Sequence, residues 1–207
     1  MFLVPSGGFV DHRFGILTSP GHKGVPAGII AGMPWAADNQ CYTQEFDIHR
    51  FQNWLETMEP YRDTCLFVNV PDVVGDAIAT LGQFADMAPS LTGWPLAFAA
   101  QDGQEALEFP SLFDALFIGG TTRWKMSPGA LDCIRRAHAL GKHIHIGRVN
   151  WYKRYAYFAG LPGSEEFTCD GTRQRFEGVE KTVAAWAKYM AWPRQAHLFV
   201  PGGDNRR

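Results

Sequence analysis

Six times along this chain a short apolar run stops abruptly at small or polar residues, and most of these stops lead into a stretch with helical spacing. The runs are residues 28–32, 65–70, 95–100, 115–118, 142–146 and 166–169. A strand that ends in a polar turn and feeds a helix is a βα unit, and repeated units of this kind build a parallel sheet. The helical stretches between them follow the same logic. Phe46, Phe51, Trp54, Leu55 and Met58 recur on one face of a helix over 47–58, with Pro60 near its end. Further helices are predicted over 76–87, 128–140, 151–159 and 177–190.

Residues 1–26 are rich in Gly and Pro, with apolar pieces at 1–4 and 14–17 that read as one strand and a long loop. One or two strands from this segment, and a further one at 198–200, bring the count to seven or eight. That number favours a compact (β/α)8 TIM-like barrel, with some helices short or missing, over an open doubly wound sheet. At 207 residues and 46% hydrophobic content the chain suits one domain, residues 1–207, near the lower size limit of the barrel. The strand ends of such a barrel share one rim. Asp38, Asp72, Gln101, Gly119, Gly120, Arg148 and Asp170 are therefore expected to converge there.

A net charge of −2 excludes a global basic field, so a nucleic-acid contact has to come from a local patch. Arg123, Lys125, Arg148, Lys153, Arg154, Arg173 and Arg175 supply one, interleaved with Trp124, Trp151, Tyr152 and Tyr155. Such a surface suits phosphate contacts with base stacking. The four cysteines are scattered, without a Cys-x-x-Cys pair, and read as free thiols of a reducing compartment. No signal peptide or membrane helix is evident, so the expectation is a soluble, cytoplasmic protein.

Asp170 is the first candidate for chemistry. It ends a β-like run and precedes Gly171, where rigid backbone holds a carboxylate open to a ligand. With Asp38 and Asp72 it makes a set of strand-end aspartates suited to nucleophilic or acid/base work. The competing reading of any one of them is a helix N-cap. His143 and His145 share one face of a strand and could begin a metal site, but further ligands are not evident; a buried, hydrogen-bonded His145 pointing into the rim is the preferred reading. The Gly119-Gly120-Thr121-Thr122 turn lacks phosphate-loop spacing and reads as a place where a flat ligand approaches backbone amides.

Five blocks taken together resemble a known family: residues 71–76 (PDVVGD), 99–103 (AAQDG), 117–125 (FIGGTTRWK), 145–150 (HIGRVN) and 169–172 (CDGT). They are similar to the deazapurine DNA-modification proteins of bacterial genomic islands and phages, relatives of the queuine and archaeosine tRNA-guanine transglycosylases. The resemblance spans residues 37–176 and implies a barrel that exchanges guanine in DNA for a free 7-deazaguanine base through a covalent glycosyl-enzyme intermediate. It calls for no cofactor and no metal. It implies that Asp170 is the nucleophile and Asp38 a general acid/base, although the Asp38-Asn39-Gln40-Cys41-Tyr42 block departs from the family's usual sequence. It also implies that Asp72, Gln101, Gly119, Gly120, Asn39 and His145 contact the base. The tRNA enzymes carry a zinc site of clustered cysteines and a histidine that nothing here matches, which points to DNA as substrate. An enzyme acting on RNA, a metal-dependent barrel hydrolase using His143 and His145, and an inactive nucleic-acid-binding relative remain alternatives.

Overall fold

The computed structural model describes residues 1–5, 10–41, 46–171 and 177–191. Eight strands close into an all-parallel barrel in chain order, β1-β2-β3-β4-β5-β6-β7-β8. They are β1 (Phe2–Pro5), β2 (Gly15–Thr18), β3 (Trp35–Ala37), β4 (Cys65–Asn69), β5 (Leu96–Ala100), β6 (Ala115–Ile118), β7 (His143–Ile146) and β8 (Thr168–Asp170). Closure is made by β8 on β1, where Leu3 faces Asp170 in register. The described helices are α1 (Ala27–Ile30), α2 (Ile48–Met58), α3 (Ala77–Met87), α4 (Thr122–Lys125), α5 (Pro128–Ala139), α6 (Tyr152–Ala159) and α7 (Val179–Ala191). The predicted (β/α)8 TIM-like barrel is therefore the fold, with α1 and α4 reduced to a single turn.

Because side chains alternate along a strand, the barrel has two apolar compartments. Leu3, Ala36, Phe67, Ala97 and Ala115 fill its interior, where alanines make room for the Phe67 ring. The larger cluster lies between sheet and helices. It holds Phe2, Phe51, Phe98, Ile144 and Trp186, and the Phe2 and Trp186 rings stack with centroids 4.4 Å apart. Burial of large side chains in this layer, about 1.5–3 kcal/mol each, fixes the helices to the barrel.

Two expectations about elements need correction. Residues 28–32 are not a buried strand. Pro26 starts the short helix α1 there, and Ile30 is 62% exposed, which a strand covered on both faces would not allow. The strand is the next apolar piece, β3, so Asp38 still follows a strand end. The N-terminal segment holds two strands rather than one, because both of its apolar pieces pair with each other. Residues 198–200 lie outside the described residues. The helix expected over 177–190 begins at Val179, and the other four helices lie within two residues of their expected bounds.

Candidate active site

The strand ends open into a cleft of about 870 Å3, its solvent-open part included, lined by Asp38, Asn39, Asp72, Gln101, Gly119, Gly120, Arg148 and Asp170. Leu17, Gln40, Asn69, Val74 and Phe117 complete it. All seven strand-end residues expected to converge do so. The helix-cap alternative separates the aspartates. Asp47 and Asp76 cap α2 and α3, accepting from the Arg50 and Ala79 amides. Asp170 and Asp72 instead bond to groups on neighbouring strand ends, and Asp38 Oδ1 accepts from the Gln40 amide at 3.1 Å in a local turn.

Asp170 sits at the end of β8 with its side chain 14% exposed. Its Oδ1 accepts from the Arg148 amide at 2.5 Å and lies 3.5 Å from His145 Nε2. The first of these contacts depends on an unusual backbone. Arg148 has φ of 60°, a left-handed conformation that costs a non-glycine residue about 1 kcal/mol or more, and it turns the amide toward the carboxylate. Burial alone would raise the Asp170 carboxyl, but His145 beside it, the hydrogen bond from the Arg148 amide and the nearby Lys125 charge outweigh burial and hold its pKa below the ordinary value. The group is ionised at neutral pH.

Asp72 responds the other way. Burial raises its pKa, partly offset by the Asn39 hydrogen bond and the Arg148 charge. Asn39 Nδ2 donates to Asp72 Oδ1 at 2.8 Å and to the Val70 carbonyl at 3.0 Å, while Gln101 Nε2 donates to Asp72 Oδ2 at 2.7 Å. Gln101 Oε1 accepts from the Gly75 and Gly120 amides at 2.9 and 2.8 Å, which fixes the amide's orientation. The Gly119 amide bonds the Ala100 carbonyl at 3.0 Å. The expectation that Gly119 and Gly120 offer free amides to a ligand is thus overturned, because both amides are bonded within the protein. Gly119 is a glycine because a Cβ there would run into the Gln101 side chain and the Ala100 carbonyl.

Three further expectations change. His145 does not line the cleft. It is the buried, hydrogen-bonded histidine of the preferred reading, inside the barrel beneath Asp170 and against the Phe67 and Phe117 rings, and it faces the carboxylate rather than the cleft. Lys125 is only 2% exposed and donates through Nζ to the Gly147 carbonyl, so it is no part of an exposed basic surface. Burial first, then the Arg148 charge, lowers its pKa to about 7. Trp124 is likewise buried and donates to Glu105 at 2.7 Å, and Tyr155 packs on Phe2. The expected rim is left with Arg123, Lys153 and the 60%-exposed Trp151 in the open, and with Arg148, Tyr152 and Arg154 half-buried, Arg148 on the cleft, Tyr152 against Tyr189 and Arg154 Nη1 donating to the Arg148 carbonyl at 3.0 Å. Arg173 and Arg175 lie outside the described residues.

Sequence reasoning missed Asn69, whose buried Oδ1 has no hydrogen-bond partner among the described residues, and Thr168, which bonds both histidines. Period-two alternation could have found Thr168, since it shares a strand face with Asp170. Among the described residues no group of three or more His, Cys, Asp or Glu converges as a metal site, and both histidines of the His-x-His pair turn to Thr168. Burial pushes the Cys41 thiol up to about 11 and those of Cys65 and Cys133 up to about 12, far from nucleophilic thiolates. No described helix is long and apolar enough to cross a membrane. No family model matches the chain, and no match is found among curated proteins.

Proposed function

We propose that this barrel is a transglycosylase that exchanges guanine in DNA for a 7-deazaguanine base through a covalent intermediate on Asp170. The observation that carries the reading is the asymmetry of that carboxylate. Oδ1 accepts from the Arg148 amide and faces His145 Nε2 at 3.5 Å, no hydrogen bond from a described residue reaches Oδ2, and Asp170 lines the cleft. A positioned, ionised carboxylate with one free oxygen can stabilise an oxocarbenium-like sugar and then trap it.

In this reading Oδ2 bonds to the anomeric carbon as the bond to guanine N9 breaks, and the guanine leaves with the electron pair and takes a proton. Asp38, half-buried on the cleft wall, is the group to deliver that proton and later remove one from the incoming base, whose nitrogen displaces Asp170. In the same reading Asp72 accepts from the N1–H and exocyclic amine of a guanine-like ring. A duplex base has to leave its stack to enter, at a cost of a few kcal/mol, which contacts at Trp151, Lys153 and Arg154 would offset. The scattered cysteines, with no cluster like the zinc site of the tRNA enzymes, favour DNA over RNA.

Incubation with guanine-containing duplex DNA or RNA and a labelled 7-deazaguanine, followed by nucleoside mass spectrometry, tests this directly. Label is expected in DNA, and Asp170→Ala is expected to abolish incorporation while leaving the circular dichroism unchanged. Activity of the variant within about tenfold of the parent, about 1.4 kcal/mol of barrier, would remove Asp170 from the role.

A further inference from the structure

Inside the barrel, strand register places Thr168 beside His145, and the Thr168 hydroxyl lies 2.8 Å from both His143 Nε2 and His145 Nδ1. A hydroxyl has a single proton. It donates to one imidazole and accepts from the other, so the two tautomers are coupled. If Thr168 donated to His143, His145 would carry its proton on Nδ1 and turn a bare Nε2 lone pair toward the Asp170 carboxylate. The opposite order is the favourable one: His143 Nε2–H donates to Thr168, Thr168 donates to His145 Nδ1, and His145 Nε2–H points at Asp170 Oδ1. His145 Nε2 is fully buried with no hydrogen bond completed among the described residues, and Asp170 Oδ1, 3.5 Å away, is the acceptor it faces.

We infer that His143, Thr168 and His145 form a directed hydrogen-bond relay that presents the His145 Nε2–H to Asp170 Oδ1 and thereby makes Oδ2 the attacking oxygen. His145 and Thr168 are positioning residues, acting through Asp170, and this role rests on the glycosyl-transfer reading above. The charged and titratable groups around the relay agree with it. Asp170, Lys125 and the chain's amino group act on His145, His145 and the amino group act on His143, and burial, the largest influence, keeps both histidines neutral. A neutral imidazole donates through one nitrogen only, so the hydroxyl decides which nitrogen faces the carboxylate.

The test is Thr168→Val, which removes the hydroxyl at nearly constant volume, beside Thr168→Ser, which keeps it. Nitrogen-15 spectra of histidine-labelled protein read the tautomer without any substrate. In the parent and in Thr168→Ser, His145 is expected as the Nε2–H form; in Thr168→Val that signal is expected to give way to a mixture. In the exchange assay Thr168→Val is expected to lose about 10- to 100-fold in kcat with KM changed less than about threefold, and Thr168→Ser to recover most of the loss. The acidic limb of the pH profile should move up in Thr168→Val, since Asp170 loses a donor that favours its ionised form. An Nδ1–H form of His145 in the parent, or an unchanged tautomer and kcat in a folded Thr168→Val, overturns the relay. The Nε2–H form in a parent that exchanges no base would uphold the tautomer order and refute the glycosyl-transfer reading instead.

Discussion

Replacing Lys125 with Met isolates the cost of a cation buried beside the candidate nucleophile. The side chain is 2% exposed, its Nζ donates to the Gly147 carbonyl, and its pKa falls from 10.5 to about 7. At about 1.4 kcal/mol per pH unit, that fall corresponds to at most about 5 kcal/mol. Between pH 7 and 10 the unfolded chain still holds the Lys125 proton and the folded chain has released it, so stability rises with pH over this window. Met has similar length and no titration.

Urea unfolding followed by circular dichroism at pH 7, 8, 9 and 10 therefore has a sharp expectation. Tyrosines and thiols titrate in both proteins, so they largely cancel in the comparison. The stability of the parent relative to Lys125→Met should climb by about 3–4 kcal/mol from pH 7 to 10. At pH 7 the variant should be the more stable by roughly 1–3 kcal/mol, because it escapes a cost of about 4 kcal/mol but leaves the Gly147 carbonyl unpaired, which costs about 1–3 kcal/mol. Parallel stability curves across the range would refute the idea that folding strips Lys125 of its charge.

Gly119→Ala should destabilise the fold by about 1–3 kcal/mol and weaken guanine preference in the exchange assay, because the added methyl displaces the Gln101 amide. A variant as stable and as selective as the parent would show that Gln101 has room to move. DNA binding should weaken steeply with salt, and Lys153→Ala should reduce the slope of log K against log salt by up to about one unit. A flat salt response would make Arg123, Lys153 and Arg154 a solvated face only.

The barrel was legible because strand ends and helix starts carry local chemistry. Asp76 and Ser127 cap their helices through contacts within three residues, which a sequence displays directly. Residues 28–32 misled for the complementary reason. A short apolar run has no period long enough to tell strand from helix, and Pro26 with the positive φ of Gly32 settled it as a turn of helix. In the site, strand-end position located the cleft residues, but not which way their hydrogen bonds run. Lys125 and Trp124 look like rim residues in sequence, yet α4 is a single turn that folds them inward against Gly147 and Glu105. Long-range pairings of that kind leave no local trace.

On the proposed function, the network around Gln101 narrows how the cleft would discriminate a base. Its carbonyl is saturated by the Gly75 and Gly120 amides and its amino group is directed at Asp72, so it works chiefly as a brace. Asn39 braces Asp72 from the other side, and the carboxylate plane is held between them. Each Asp72 oxygen then retains capacity for a further hydrogen bond. The fixed groups are thus mostly acceptors, suited to a ring edge that presents adjacent donors, as guanine and 7-deazaguanine do through N1–H and the exocyclic amine. An adenine-like edge offers an amine beside a bare ring nitrogen, which would set a lone pair against a carboxylate braced too firmly to turn away. Selectivity on this reading comes from the brace as much as from the contact, since an acceptor free to rotate could accommodate either edge.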